Sequence, residues 1–199
     1  GIQNTLIGSL AGDALQAAGD NVAVGFEALT TETGGQNNVA IGPRTLKAQV
    51  NSSGNIYNTA VGSNAGTSVT TGNLNTLVGG LAGDALTDAD HNTVVGVSAL
   101  GNDTLGSKST AIGVAALFEQ NFTTATDAFN TAVGYNAATS VTTGVQNTLM
   151  GGLAGDAITS GSNNIIIGYA ADGATNSENA ITIGLGITGG NNDFAFGKV

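Results

Sequence analysis

Residues 58–74 read NTAVGSNAGTSVTTGNL, residues 75–91 read NTLVGGLAGDALTDADH and residues 92–108 read NTVVGVSALGNDTLGSK. Each begins with Asn, places an aliphatic residue and then Gly at its fourth and fifth positions, and runs to 17 residues. Outward from these three, the same glycine stands at Gly8, Gly25, Gly42, Gly62, Gly79, Gly96, Gly113, Gly134, Gly151, Gly168, Gly184 and Gly197. The intervals are 17, 17, 20, 17, 17, 17, 21, 17, 17, 16 and 13 residues. Self-similarity of this kind is the signature of a repeat architecture and decides the fold.

The columns of the repeat are strict. The residue before the glycine is apolar in all twelve units, from Ile7 to Phe196. Asn stands four before it in nine of twelve, and Ala three after it in nine of the first ten, with Thr45 the exception. A longer period lies over the short one. Residues 58–86 match residues 130–158 at 23 of 29 positions, at an offset of 72, as tandem duplication would leave them. NTLIGSLAGDAL at Asn4 likewise returns from Asn75 and, as NTLMGGLAGDAI, from Asn147.

A unit this short cannot hold a helix pair or a propeller blade, but it suits one coil of a β-solenoid. NTAVG is a short strand rich in β-formers, and its glycine permits a tight turn or a close backbone approach. TSVTTG, ending at Gly72 and again at Gly144, is expected to form a second extended segment that closes the coil. Coils stacked ~4.8 Å apart turn every column into a ladder. Asn58, Asn75 and Asn92 are then expected to form an amide ladder, and Val61, Val78 and Val95 a continuous apolar spine. The expected fold is all-β: a parallel β-roll or β-solenoid of about twelve 17-residue coils, a single repeat domain over 1–199, with coils ending near the twelve glycines.

Side chains alternate across a strand, so Thr59 and Val61 point one way and Ala60 and the glycine the other. Both faces are poor in polar groups, and both are expected to be covered. A coil can cover one with its own closing segment. The other needs a neighbouring chain, and closed cyclic symmetry is the usual way to supply one. A homotrimer is expected.

Composition narrows the partners. The chain has 32 Gly, one Pro, 41% hydrophobic and 9% charged residues, the opposite of a disordered chain. The glycines do not fall every third residue, which excludes collagen. A net charge of −10 with four Lys or Arg argues against nucleic acid and anionic membrane surfaces. There is no cysteine for a disulfide or thiolate site, and no apolar run long enough to insert directly into a membrane. The opening at Gly1, in mid-pattern and without Met, is expected of a mature form or a piece of something longer.

Candidates for chemistry are few. His91 is the one histidine, so it has no second for a metal pair or triad. Asp13, Asp84 and Asp156 recur in LAGDA, four coils apart, and cannot share an ion within one chain; turn or cap chemistry is the simpler role. The threonine column from Thr5 to Thr148, interrupted by Val22 and Val39, reads as a β-former more readily than as an ice-binding array. A period of 17 is no multiple of the hexapeptide repeat of solenoid acyltransferases. No enzyme activity and no cofactor are expected. The two long coils place their extra residues in Pro43–Tyr57 and Val114–Phe129, where repeat proteins carry function. These hold the sequons at Asn51 and Asn121, with a third at Asn102, as candidate exposed receptor or glycan sites. Tyr135 and Tyr169, just after the strand glycine, could stack on sugars or pack between coils.

The units NVAVG at Asn21, NVAIG at Asn38 and STAIG at Ser109 resemble the head repeats of YadA-like trimeric autotransporter adhesins. The fuller unit from Asn58, NTAVG-x-N-A-G-x-S-x-T-T-G-x-x, is still more similar to tandem repeats of phage tail fibres and bacterial surface proteins, of the kind found upstream of endosialidase-type chaperone domains. The resemblance spans essentially the whole chain. It implies a left-handed parallel β-roll that trimerises along a shared axis, an extracellular location on a virion tail fibre or a bacterial surface, and a structural, adhesive role towards a cell-surface glycan or receptor. The chain departs from it in its longer unit and in carrying no recognisable anchor, stalk or chaperone domain. The alternative is a subunit of a self-assembling extracellular filament, since both chain ends lie in or near the repeat without an obvious cap.

Overall fold

The computed structural model describes residues 1–198. It is all-β, without a helix among those residues. Twelve short strands form one parallel sheet in chain order: Thr5–Ile7, Val22–Val24, Val39–Ile41, Thr59–Val61, Thr76–Val78, Thr93–Val95, Thr110–Ile112, Thr131–Val133, Thr148–Met150, Ile165–Ile167, Ile181–Leu185 and Phe194–Lys198. The fold is thus a parallel β-solenoid of about eleven turns, about 53 Å from first strand to last at the usual strand spacing. Register never slips. Thr59 pairs with Thr76, Ala60 with Leu77 and Val61 with Val78. The long coils keep it too, with Val39 on Thr59 and Thr110 on Thr131. The added residues are therefore absorbed wholly in loops.

The glycine column follows from two constraints. All twelve strand glycines have φ between +127° and +156°, a region closed to residues with a Cβ. Space is also missing. A Cβ on Gly42 or Gly79 would sit 2.5 Å from the carbonyl oxygen of Gly62 or Gly96 in the next coil. The chain then keeps turning. Two and four residues after Gly62, Asn64 and Gly66 are left-handed, at φ 57° and 58°.

Those corners correct the expectation of a second extended segment. TSVTTG is a stack of turns and bends, not a strand. Its coils are still joined, as where the Thr70 N–H donates to Thr87 O at 2.9 Å and the Thr87 N–H to Thr104 O at 2.9 Å. Left-handed residues so close together leave no room for an extended run.

The core of the single chain lies on the face opposite the Val61, Val78 and Val95 column. The middle strand residue, not the one before the glycine, faces inward: Ala23, Ala40, Ala60, Leu77, Val94, Ala111, Ala132, Leu149 and Ile166 are fully buried. The alanines three after the glycine pack against them, from Ala28 to Ala171. Sizes compensate within a coil. Leu77 and Leu149 face Gly83 and Gly155, whereas Ala23, Ala40 and Ala111 share their coils with buried Leu29, Leu46 and Leu117. At Ala60, where Gly66 is also small, Leu77 and Leu46 reach in from the adjoining coils.

Candidate functional site

The asparagine column is buried and bonded in two directions. The Asn75 N–H donates to Asn58 Oδ1 at 2.9 Å, and Asn75 Nδ2 donates to Ala89 O at 2.7 Å. Asn92 repeats this on Asn75 Oδ1 and Gly106 O, both at 2.9 Å. Each side chain thus joins one coil to the next through its oxygen and closes its own coil through its nitrogen. Amide-to-amide bonds of the kind expected for a ladder occur at Asn38–Asn21, Asn147–Asn130 and Asn164–Asn147.

Val61, Val78 and Val95 stand on the outer face of the sheet, half-buried or exposed. With the threonine column and the two residues after each glycine they form one long apolar edge. Of the 23 exposed large hydrophobic residues, 17 fall there, among them Ile41, Ile112, Met150, Tyr135, Tyr169 and Phe196. Charge is almost absent from it. Of 14 acidic residues in the chain, only Glu27 lies in these columns, and it is paired with Arg44 at 3.2 Å and Lys47 at 2.8 Å. Asp13, Asp84 and Asp156 lie away from this edge, five residues after their glycines. Among the described residues no group of three or more His, Asp or Glu gathers to hold a metal.

The two long coils share a buried polar relay that the sequence reading missed. Seven residues after the strand glycine, five coils place an apolar residue in or at the edge of the core: Leu15, Val69, Leu86, Val141 and Ile158. Glu32 and Gln49 take that place in consecutive coils, and Asp103 and Gln120 do so again. All four are fully buried. Gln49 Nε2 donates to Glu32 Oε2 at 2.8 Å, while Gln49 Oε1 accepts from Asn58 Nδ2 at 2.9 Å. In the second set Gln120 Nε2 donates to Asp103 Oδ2 at 2.5 Å and Gln120 Oε1 accepts from Asn130 Nδ2 at 2.8 Å. The carboxylates also gather backbone N–H groups where the loops leave the stack. Glu32 Oε1 accepts from Gly35 at 2.8 Å and Asn51 at 3.0 Å, and Asp103 Oδ1 from Gly106 and Phe122 at 3.0 Å. The signal for this relay was an acid followed 17 residues later by Gln, in an apolar column, at both insertions.

The two carboxyls differ in their proton affinity. Burial raises both. For Glu32 the bonds from Gln49, Gly35, Asn51 and Gly34 outweigh burial and hold it below the ordinary glutamate value. For Asp103 burial prevails over its bonds from Gln120, Phe122, Gly106 and Leu105, and the carboxyl lies above the ordinary aspartate value.

The relays place the sequons. Asn51 is half-buried, with Nδ2 donating to Glu32 Oε2 at 3.3 Å. Asn102 is half-buried and donates to Glu119 at 3.2 Å. Asn121 is exposed, and its Oδ1 accepts from Thr104 Oγ1 at 3.2 Å. Asn51 and Asn121 belong to loops separated by four strands of the sheet. His91 is exposed, just outside the Asn92 column. Comparison with family models, with curated proteins and with solved structures finds no match.

Proposed function

We propose that this chain is a structural and adhesive fibre segment, homotrimeric, borne on a virion tail fibre or a bacterial surface and presenting its two expanded coils for attachment. The observation that carries this is the apolar, charge-poor edge running along all twelve strands. Its strand face alone is on the order of 500 Å², in the upper part of the roughly 300–600 Å² of the largest apolar patch on a typical monomer, a patch that is often functional. A second copy of the same chain is the occupant that fits. The edge is regular and self-similar along its length, and the charge of −10 is carried elsewhere, so like chains can approach there without facing each other's acids. Closed rotational symmetry then covers the edge without open polymerisation. The resemblance of the repeats to trimeric adhesin heads and tail-fibre repeats supports the same reading and the extracellular setting.

The work of such a segment is mechanical. Backbone ladders, the asparagine stitches and a continuous core make a stiff rod that holds loops away from its base. Sedimentation equilibrium and native mass measurement test this. A discrete trimer is the expected result, open polymers would favour the filament, and a stable monomer at micromolar concentration would overturn the proposal.

A further inference from the structure

We propose that the two expanded coils build a pair of equivalent binding sites for an uncharged saccharide chain, centred on Tyr57 and Phe129. This rests on the fibre reading only for its setting, since the sites lie within one chain.

The two sites share one construction. Each inserted loop ends on an aromatic residue in the left-handed region, Tyr57 at φ 58° and Phe129 at φ 51°, with half its surface open at 51% and 50%. This position, five before the glycine, is left-handed in every coil, and no other coil has a Phe, Tyr or Trp there; His91 is the one further ring. The residue two before each ring reaches the preceding coil. Asn55 Oδ1 accepts from Asn37 Nδ2 at 2.8 Å, and Asp127 Oδ2 accepts from Lys108 Nζ at 2.5 Å. Lys108 Nζ also lies 5.3 Å from the Phe129 ring centre. A parallel bridge stitches each loop to the coil before it, Gln36 to Asn55 and Ser107 to Asp127. Behind each stands the buried carboxylate relay. A spacer loop has no need of a buried acid without a cation. Holding a loop in one pose at the cost of burying charge is what a preorganised recognition element requires.

The chemistry selects the ligand. A pyranose offers an apolar C–H face to a ring and hydroxyls to the polar groups around it. The exposed loop side chains include hydroxyls and amides, Ser52, Ser53 and Asn55 at one site and Asn121, Thr123 and Thr124 at the other, alongside Val50 at the first and Glu119 and Asp127 at the second. The polar pair beside each ring is an amide pair or a neutralised ion pair, so neither site draws a charged ligand. The chain's negative charge disfavours acidic glycans. No cavity forms among the described residues, so the ligand lies along the surface. The rings are four strands apart on one edge, about 19 Å, a span that one extended chain can bridge.

The test is retention of the intact protein on immobilised neutral oligosaccharides of hexose and N-acetylhexosamine units, with sialylated oligosaccharides as a second arm. Retention on neutral saccharides is expected, with Tyr57→Ala and Phe129→Ala each weakening it about tenfold or more through lost avidity, and the double variant abolishing it. No retention on any neutral saccharide, retention only on sialylated ones, or retention untouched in the double variant overturns the proposal. Sedimentation of the same variants separates the two readings. An association state lost with the rings would assign them to the subunit interface and sink this site. Saccharide binding by a monomeric wild type would sink the trimer and leave the site standing.

Discussion

Asn75 shows what one side chain does in a stacked fold. It is fully buried, accepts from the Asn92 N–H and donates to Ala89 O. Asn75→Ala removes both partners at once and leaves a buried donor and a buried acceptor unmet. The expected loss is about 2–6 kcal/mol, at about 1–3 for each of the two orphaned groups, read from urea unfolding. Charge at the residue scale gives a second test. Folding raises the Asp172 carboxyl to about 6, through burial first and the nearby Asp156 carboxylate as well, against the opposing bond from the Gly173 N–H. A carboxyl raised on folding keeps its proton in the folded chain at pH values where the unfolded chain has lost it. Stability therefore declines as pH rises from the ordinary carboxylate range to about 6 and is flat above, as far as this group decides it. Asp172→Asn should remove that slope and stabilise the chain at neutral pH, with urea midpoints compared at about pH 4 and about pH 7.

At the scale of the coil, the core is filled by exchange between two positions. Where the strand brings Leu77, the left-handed corner is Gly83; where the strand brings Ala40, the corner is Leu46. Leu77→Ala should therefore cost about 2–5 kcal/mol, as core truncations do. Gly83→Leu alone should clash, because even a Cβ at Gly83 lies 2.8 Å from Leu86 Cδ1 and 2.9 Å from Leu77 Cδ2. In the double variant Leu77→Ala removes the clash with Leu77 but leaves that with Leu86, whose place in the Ala40/Leu46 coil is taken by Gln49. The double variant should still be more stable than the sum of the two predicts, a coupling that a double-mutant cycle in urea measures. Sequence showed the strands plainly, since a glycine after every apolar residue repeats twelve times. It did not show the corners. Leu29, Leu46 and Leu100 are left-handed at φ 52°, 47° and 50°, and leucine carries no signal for that conformation, which its tertiary setting imposes. Nor did the sequence show which strand face the coil closes over and which is left for a neighbour. NTAVG has apolar residues on both sides, and only the closing of the coil over Ala60 decides which side is inside. The acid–Gln relay was legible in principle, as polar residues in an apolar column, but it becomes visible only once the seventh position after the glycine is known to be core.

For the molecule as a whole, the question is what covers the outer edge. Val61 is half-buried in the single chain and makes no part of its core, so a charge there need not disturb the coil. That separates folding from association. If like chains meet along this edge, Val61→Asp places an acid from every copy against the others in a desolvated strip, where like charges cost several kcal/mol. Circular dichroism of the variant should remain β-rich, while sedimentation equilibrium shows a weakened or lost trimer and a lower, concentration-dependent Tm. Ser68→Asp, in the stacked turns away from the edge, should leave the association state as it was. Equal behaviour of the two variants would mean that the edge is not an interface. A loss of β structure in Val61→Asp alone would mean that the outer column supports the coil itself.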